Sequence, residues 1–356
     1  MIEPARLAIV GFGLIGRRHA DAISDIPGIK LAAVVEPNQA VQSDVENIGA
    51  DLFDSLEDLF ASKEIDGVIL STPTPLHAEQ AMTCIENRCA ILVEKPLAVT
   101  SHEARKVVES ALRTDVPILV GHHRRYNGIV RAAKSAIENG DIGDIRAVSA
   151  NCWFYKPDDY FDGAPWRKQL GAGPISVNLT HDVDLLRYFC GDVKSVQAHS
   201  RPSVRGYDNE DVAAAILEFG SGAIATITVS DSIVSPWSWE MTSGENPAYP
   251  HTDESCYLIG GSDGAISIPD LRVWKHGAKP DWWSPIFANT LISSPKDPLK
   301  TQIEHFLNVI QGTELPVVSG LEGLKTLQVI EAIQNAAIDK TTIEITGYED
   351  VLGGVA

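Results

Sequence analysis

The spacing of apolar and polar positions changes partway along this chain. In the first third, short unbroken apolar runs alternate with amphipathic stretches. Residues 6–10, Leu31–Val35, Asp66–Leu70, Ile91–Val93 and Pro117–Val120 read as strands, with helical spacing at 14–25, 39–48, 55–62, 76–87 and 101–113 between them. Continuous apolar strands alternating with helices predict a parallel sheet covered on both faces. Beyond about residue 122 the pattern differs. A helical stretch (127–139) precedes Ile145–Trp153, which alternates in part, and a second helix is expected over 179–189. Strand-like runs follow at Val193–Ser200, Ala213–Phe219, Ala223–Asp231, Ser255–Gly260 and Ala265–Ile268, some separated by turns such as Gly220-Ser221-Gly222. Consecutive strands joined by tight turns predict a mainly antiparallel sheet. Residues 300–311 and 319–338 look helical. The reading is an α/β chain of two domains, 1–122 and 123–356.

Composition narrows the function. The 356 residues are 44% hydrophobic and 22% charged, which suits two globular cores and argues against disorder. The formal net charge is −19, from 48 acidic and 29 basic side chains. Such a field opposes nucleic acid and anionic membranes as partners. The apolar stretch Leu7–Val10 runs straight into a glycine turn, so it is expected to be a strand and not a signal peptide. No membrane span is expected. The five cysteines are scattered, and Cys84 and Cys89 lack a partner pair elsewhere, so no metal site is expected. Reduced cysteines fit a cytoplasmic protein.

Three motifs carry candidate chemistry. Gly11-Phe12-Gly13-Leu14-Ile15-Gly16 lies between a strand and a helix, as a dinucleotide fingerprint requires. Gly11 permits the tight turn, Gly13 lets a pyrophosphate approach the backbone, and Gly16 allows close helix–strand packing. Helix N–H groups then face the phosphates. Glu36 closes the second strand, where a carboxylate accepts ribose hydroxyls and repels a 2′-phosphate. This favours NAD, although Arg17 and Arg18 nearby leave some tolerance for NADP. A solvated strand-end charge is the plain alternative for Glu36. The second motif is Glu94-Lys95-Pro96, at the carboxyl edge of a strand, with Pro96 a candidate for a cis bond. On those residues alone, a surface lysine before a turn proline is the stronger reading. The third runs from Gly171-Ala172-Gly173 into a helix on which Asn178, His181 and Asp184 are spaced by three and share a face. His181 can exchange a proton near neutral pH, yet alone it reads more readily as structural.

Taken in order, the fingerprint, Glu94-Lys95-Pro96, Gly121-His122-His123-Arg124-Arg125-Tyr126-Asn127 and the helix to His181 resemble the glucose–fructose oxidoreductase / inositol dehydrogenase / rhizopine catabolism family. The resemblance covers nearly the whole chain. It implies a Rossmann domain followed by an α/β domain with a large open sheet, and homodimers or homotetramers. It implies Lys95 and His181 as catalytic residues acting on a secondary alcohol of a sugar or cyclitol. It further implies that Thr72, Pro73, Thr74 and His77 approach the cofactor, as do Glu94, Lys95, Trp166 and Arg167. Arg124 resembles a substrate-contacting arginine. Many members carry Asp four residues before the histidine; here Val177 holds that place with Asn178 beside it. Asn178 is therefore a candidate substrate contact. The aromatic and polar stretch from Trp237 to His251 lines either a carbohydrate pocket or a subunit contact. The expected activity is an NAD-dependent dehydrogenase of a polyol, sugar, cyclitol or anhydrosugar. An NAD-bound reaction without net redox and an inactive sensor remain as alternatives.

Overall fold

A computed structural model describes residues 3–277 and 279–345. These residues divide into two compact units. The first contains residues 3–123 together with Asp297–Leu327; the second contains Arg124–Lys296 and residues 328–345.

The first unit is built on six parallel strands: β1 (Ala5–Val10), β2 (Ile29–Val35), β3 (Asp51–Phe53), β4 (Gly67–Leu70), β5 (Ala90–Val93) and β6 (Ile118–Val120). Their spatial order is β3-β2-β1-β4-β5-β6, the Rossmann order with its switch point between β1 and β4. β1, β4, β5 and β6 end in fully buried apolar residues, which is why they read as unbroken runs. The three-residue edge strand β3 was not legible, because Asp51-Leu52-Phe53 carries too few apolar positions to stand out.

The helix Pro298–Ile310 belongs to this first unit and not to a continuous second domain over 123–356. A Cβ placed on Gly67 in β4 would lie 2.6 Å from Ile310 Cδ1 and 3.0 Å from Phe306 Cε1, so the glycine makes room for these side chains of the helix against the sheet. The helix Gly320–Asp339 likewise contributes its first turns to the first unit and the remainder to the second. The last stretch of the expected second domain, 346–356, lies outside the described residues.

The second unit holds nine strands: β7 (Ile145–Trp153), β8 (Val193–Pro202), β9 (Glu210–Phe219), β10 (Ile224–Ser230), β11 (Tyr257–Gly261), β12 (Ala265–Ile268), β13 (Arg272–His276), β14 (Ile286–Thr290) and β15 (Ile343–Glu344). The order is β14-β13-β12-β11-β7-β10-β9-β8-β15, antiparallel except for β7 with β10. Inward side chains such as Val148, Ala215, Leu217, Ile227 and Ile259 pack with Val130, Val183, Leu186 and Ile333 from helices. Outward positions alternate with these and stay exposed, which explains the partial alternation of β7 and β9. β13 and β14 escaped the sequence reading; β14 is exposed along its whole length and so lacks any apolar–polar contrast.

Candidate active site

Within the first unit, β1 delivers the chain into the glycine turn. Gly11 has φ +86°, and a Cβ there would sit 2.9 Å from Thr72 Cγ2. A Cβ on Gly16 would fall 2.0 Å from the Gly11 carbonyl oxygen. Gly13, the N-cap of the helix Leu14–Ser24, has nothing within 4 Å of such a Cβ. The turn thus needs glycine twice for packing and once for open space, as a pyrophosphate-binding turn does. Phe12 is buried beneath the Arg17 guanidinium, 4.6 Å from its ring. Leu14 and Ile15 are exposed on the turn. Glu36 is held at the end of β2 by two backbone donors: Phe12 N–H to Oε2 at 3.0 Å and Asn38 N–H to Oε1 at 3.1 Å. An open glycine turn and a fixed carboxylate one strand away suit pyrophosphate and ribose, so the residues present fit NAD.

The loops after β4 and β5 are tied to each other. Ser71 Oγ donates to the Gly11 carbonyl at 2.8 Å, and Thr72 Oγ1 to Gln80 at 2.6 Å. Pro73 leads into a short 3-10 turn, Thr74–Leu76. His77 is enclosed: its ring is 1% exposed, with both nitrogens 2.8 Å from carbonyl oxygens, Nδ1 from Pro96 and Nε2 from Thr72. It is a strut between the two loops.

Lys95 follows β5, half-buried, and its bond to Pro96 is cis. The Glu94 carboxylate has two partners within the first unit. Oε1 accepts from His19 Nε2 at 2.8 Å, and Oε2 accepts from the Lys95 backbone N–H at 3.3 Å. Gly121, at the end of β6, leaves room for it; a Cβ there would be 3.0 Å from Oε2. Burial pushes the Glu94 carboxyl up, but the His19 hydrogen bond and the charges of His19, His123 and Lys95 outweigh it and hold it at about 2.

Within the second unit, Asn178 breaks the helix into Pro174–Val177 and Leu179–Cys190. His181 lies in the first turn of the second piece, and its N–H donates to the Asn178 carbonyl at 3.1 Å. Both residues are half-buried. Asp184 instead is buried in a bidentate pair with Arg125, at 2.9 and 2.8 Å. Arg124 is enclosed as well. It is 4% exposed, stacked on Trp239, 2.6 Å from Glu240 and 3.5 Å from Asp182, so its guanidinium is spent inside the unit. Asp182 also accepts from the Tyr257 hydroxyl. Burial drives its carboxyl up; Arg124 opposes this, Glu240 adds to it, and the result is about 6. Trp166 is half exposed, and Arg167 lies over the Tyr160 ring at 4.1 Å while donating to the Tyr160 carbonyl.

Sequence reasoning missed Lys156, whose Nζ donates to Asn178 Oδ1 at 2.7 Å, and the Asp182–Tyr257–Glu240 network around Arg124. These partners lie far apart in the chain, so no local spacing reports them. Among the described residues no cluster of three or more His, Cys, Asp or Glu side chains could hold a metal ion. No helix among them is long and apolar enough to cross a membrane.

Two family models match in tandem. Residues 5–122 match the "Oxidoreductase family, NAD-binding Rossmann fold", and 130–267 the "GFO/IDH/MocA C-terminal domain". The chain belongs to the GFO/IDH/MocA family of NAD-binding oxidoreductases. It is 28% identical to a scyllo-inositol 2-dehydrogenase (NAD+) of Bacillus subtilis, over 94% of this chain and 95% of that one. It is 24% identical to a D-apiose dehydrogenase of Paraburkholderia graminis, over 96% and 90%. Among solved structures, it is similar to the WlbA dehydrogenase of Bordetella pertussis in complex with NADH and UDP-GlcNAcA. That match has a TM-score of 0.78 and 26% identity, and covers 97% of this chain and all of that one.

Proposed function

We propose that this enzyme oxidises a secondary alcohol of a sugar, cyclitol or related polyol with NAD, and reduces the corresponding ketone in reverse. One observation carries the reading: a single sheet edge holds both the glycine turn with Glu36 and, two strands from β1, the braced Lys95. The relatives named as inositol and apiose dehydrogenases support the substrate class.

Gly11, Gly13 and Gly16 shape the pyrophosphate turn, with Phe12, Leu14 and Ile15 lining it, and Glu36 takes the adenosine ribose. The loop Thr72-Pro73-Thr74 and Trp166-Arg167 are the remaining cofactor contacts. Bound NAD supplies the hydride acceptor. Lys95 donates to the substrate oxygen and stabilises the alkoxide as it forms. His181 takes the hydroxyl proton, and returns it in the reverse direction. Asn178 touches the substrate beside His181.

The same reading places the enzyme in the cytoplasm as a homodimer or homotetramer. The exposed apolar side chains Ile216 and Ile224 on the adjacent strands β9 and β10, with Leu258 on β11 beyond β7, support association. Sedimentation equilibrium showing a monomer would remove that part alone. NADH formation across sugars, cyclitols and anhydrosugars tests the activity: turnover with at least one supports it, and none with any defeats it.

A further inference from the structure

Lys156 is a cation enclosed in the second unit, where it meets both a carboxylate and the amide of Asn178. Its side chain is 9% exposed and passes the rings of Phe154 and Tyr160, with Nζ 5.6 and 5.0 Å from their centroids. The ammonium donates to Asn178 Oδ1 at 2.7 Å and lies 3.4 Å from Asp231 Oδ2. Arg205 also pairs with the Asp231 carboxylate, at 3.2 Å, so that carboxylate has two cationic partners.

An ammonium has donors and no acceptor, so the atom of Asn178 facing Lys156 must be the oxygen. The orientation of the amide is thereby set by chemistry. Its NH₂ group points the other way, and among the described residues it meets no hydrogen-bonded acceptor. Three residues before His181 the chain therefore presents the two N–H donors of the Asn178 amide.

We propose that Lys156 determines substrate specificity by positioning Asn178, so that the substrate group next to the reacting carbinol is an acceptor-only carboxylate, as in a sugar acid. This rests on the proposed function and deepens it. A hydroxyl can either donate or accept, so a neutral polyol is tolerated at such a site. A carboxylate can only accept; an aspartate in place of Asn178 would repel it. Without Lys156 the amide is free to rotate, and its oxygen then faces the substrate for part of the time.

The test compares the parent enzyme, Lys156→Met and Asn178→Asp on glucuronate, galacturonate and gluconate against glucose, galactose and myo-inositol. kcat and KM for NADH formation are measured separately, with NAD affinity as the check on folding. The parent should favour the acids in kcat/KM by about tenfold or more, the scale of one unmatched buried polar contact. Lys156→Met should lose most of that preference through a higher KM for the acids, with NAD affinity retained. Asn178→Asp should reverse the preference. Should Lys156→Met fail to fold, Asn178→Ser decides by the same loss of preference. A parent that favours the neutral compounds overturns the inference, as does a folded Lys156→Met with the parental ratio; in both cases the dehydrogenase reading stands. A parent inert to every compound removes that reading and the inference with it.

Discussion

His19 Nε2 donates to the carboxylate of Glu94 at 2.8 Å, inside the first unit and almost out of solvent. This contact joins the helix that follows the glycine turn to the residue preceding Lys95. The helix expected to hold the pyrophosphate and the lysine expected to hold the substrate oxygen therefore share one brace.

Glu94→Gln tests that brace. The parent carboxyl sits at about 2, against an ordinary value of 4.5. A depressed carboxyl stabilises the fold fully above its unfolded value and loses that contribution as pH falls toward its folded value. Loss of a charge-assisted hydrogen bond costs about 1.5–3 kcal/mol. Thermal melts should show a clear gap between parent and variant at pH 6 and a smaller gap at pH 3.5. A gap that is constant over that range would show that Glu94 acts by packing alone.

Two glycines of the turn should behave in opposite ways. Gly16→Ala forces a Cβ to within 2.0 Å of a carbonyl oxygen and should destabilise the first unit. Gly13→Val adds its side chain in open space, so the fold should survive while NAD affinity collapses. Melting curves and NAD titration separate these outcomes. Unchanged NAD affinity in Gly13→Val would mean the turn does not hold the pyrophosphate.

Glu36 makes the cofactor preference testable. NAD should give a higher kcat/KM than NADP, and Glu36→Ala should narrow that ratio by about tenfold or more, by removing the repulsion of the 2′-phosphate. Equal kcat/KM for both cofactors in the parent would contradict the assignment.

Asp182 carries the opposite sign to Glu94. Its carboxyl is raised to about 6, so the stability linked to this group is full below the unfolded value near 3.8 and is lost as pH rises through 6. Asp182→Asn removes that titration, and Arg124 keeps Glu240 as its partner. The melting temperature of the variant relative to the parent should therefore rise between pH 4.5 and pH 7. A difference that falls over this interval would show that the Arg124–Asp182 ion pair is stabilising at neutral pH.

The first unit was readable from sequence because its signals are local. β1, the turn and the following helix lie within twenty residues, and strands buried on both faces leave continuous apolar runs. Lys95 could be placed at a strand end for the same reason. The contribution of Asp297–Leu327 to that unit was hidden, because an amphipathic helix does not state which sheet it covers. His77, Glu94 and Arg124 were assigned to ligands because each lies beside a motif. Their burial against Pro96, His19 and Glu240 depends on contacts 19, 75 and 116 residues apart in the chain. Lys156 stands in a segment with no motif, so its hold on Asn178 appears only once β7 and the broken helix are in place.

Single-turnover NADH formation by Lys95→Ala, with the substrate of highest parental kcat/KM and saturating NAD, tests most directly whether Lys95 stabilises the forming alkoxide. Loss of a positioned acid–base or charge-stabilising group costs about 10²–10⁴-fold in rate. The account predicts a loss of that size with NAD affinity near the parental value, since the glycine turn and Glu36 hold the adenosine end. His181→Ala should show a similar loss, and the double variant should lose less than the product of the two, as residues acting together do. Turnover by Lys95→Ala at near the parental rate would contradict the mechanism.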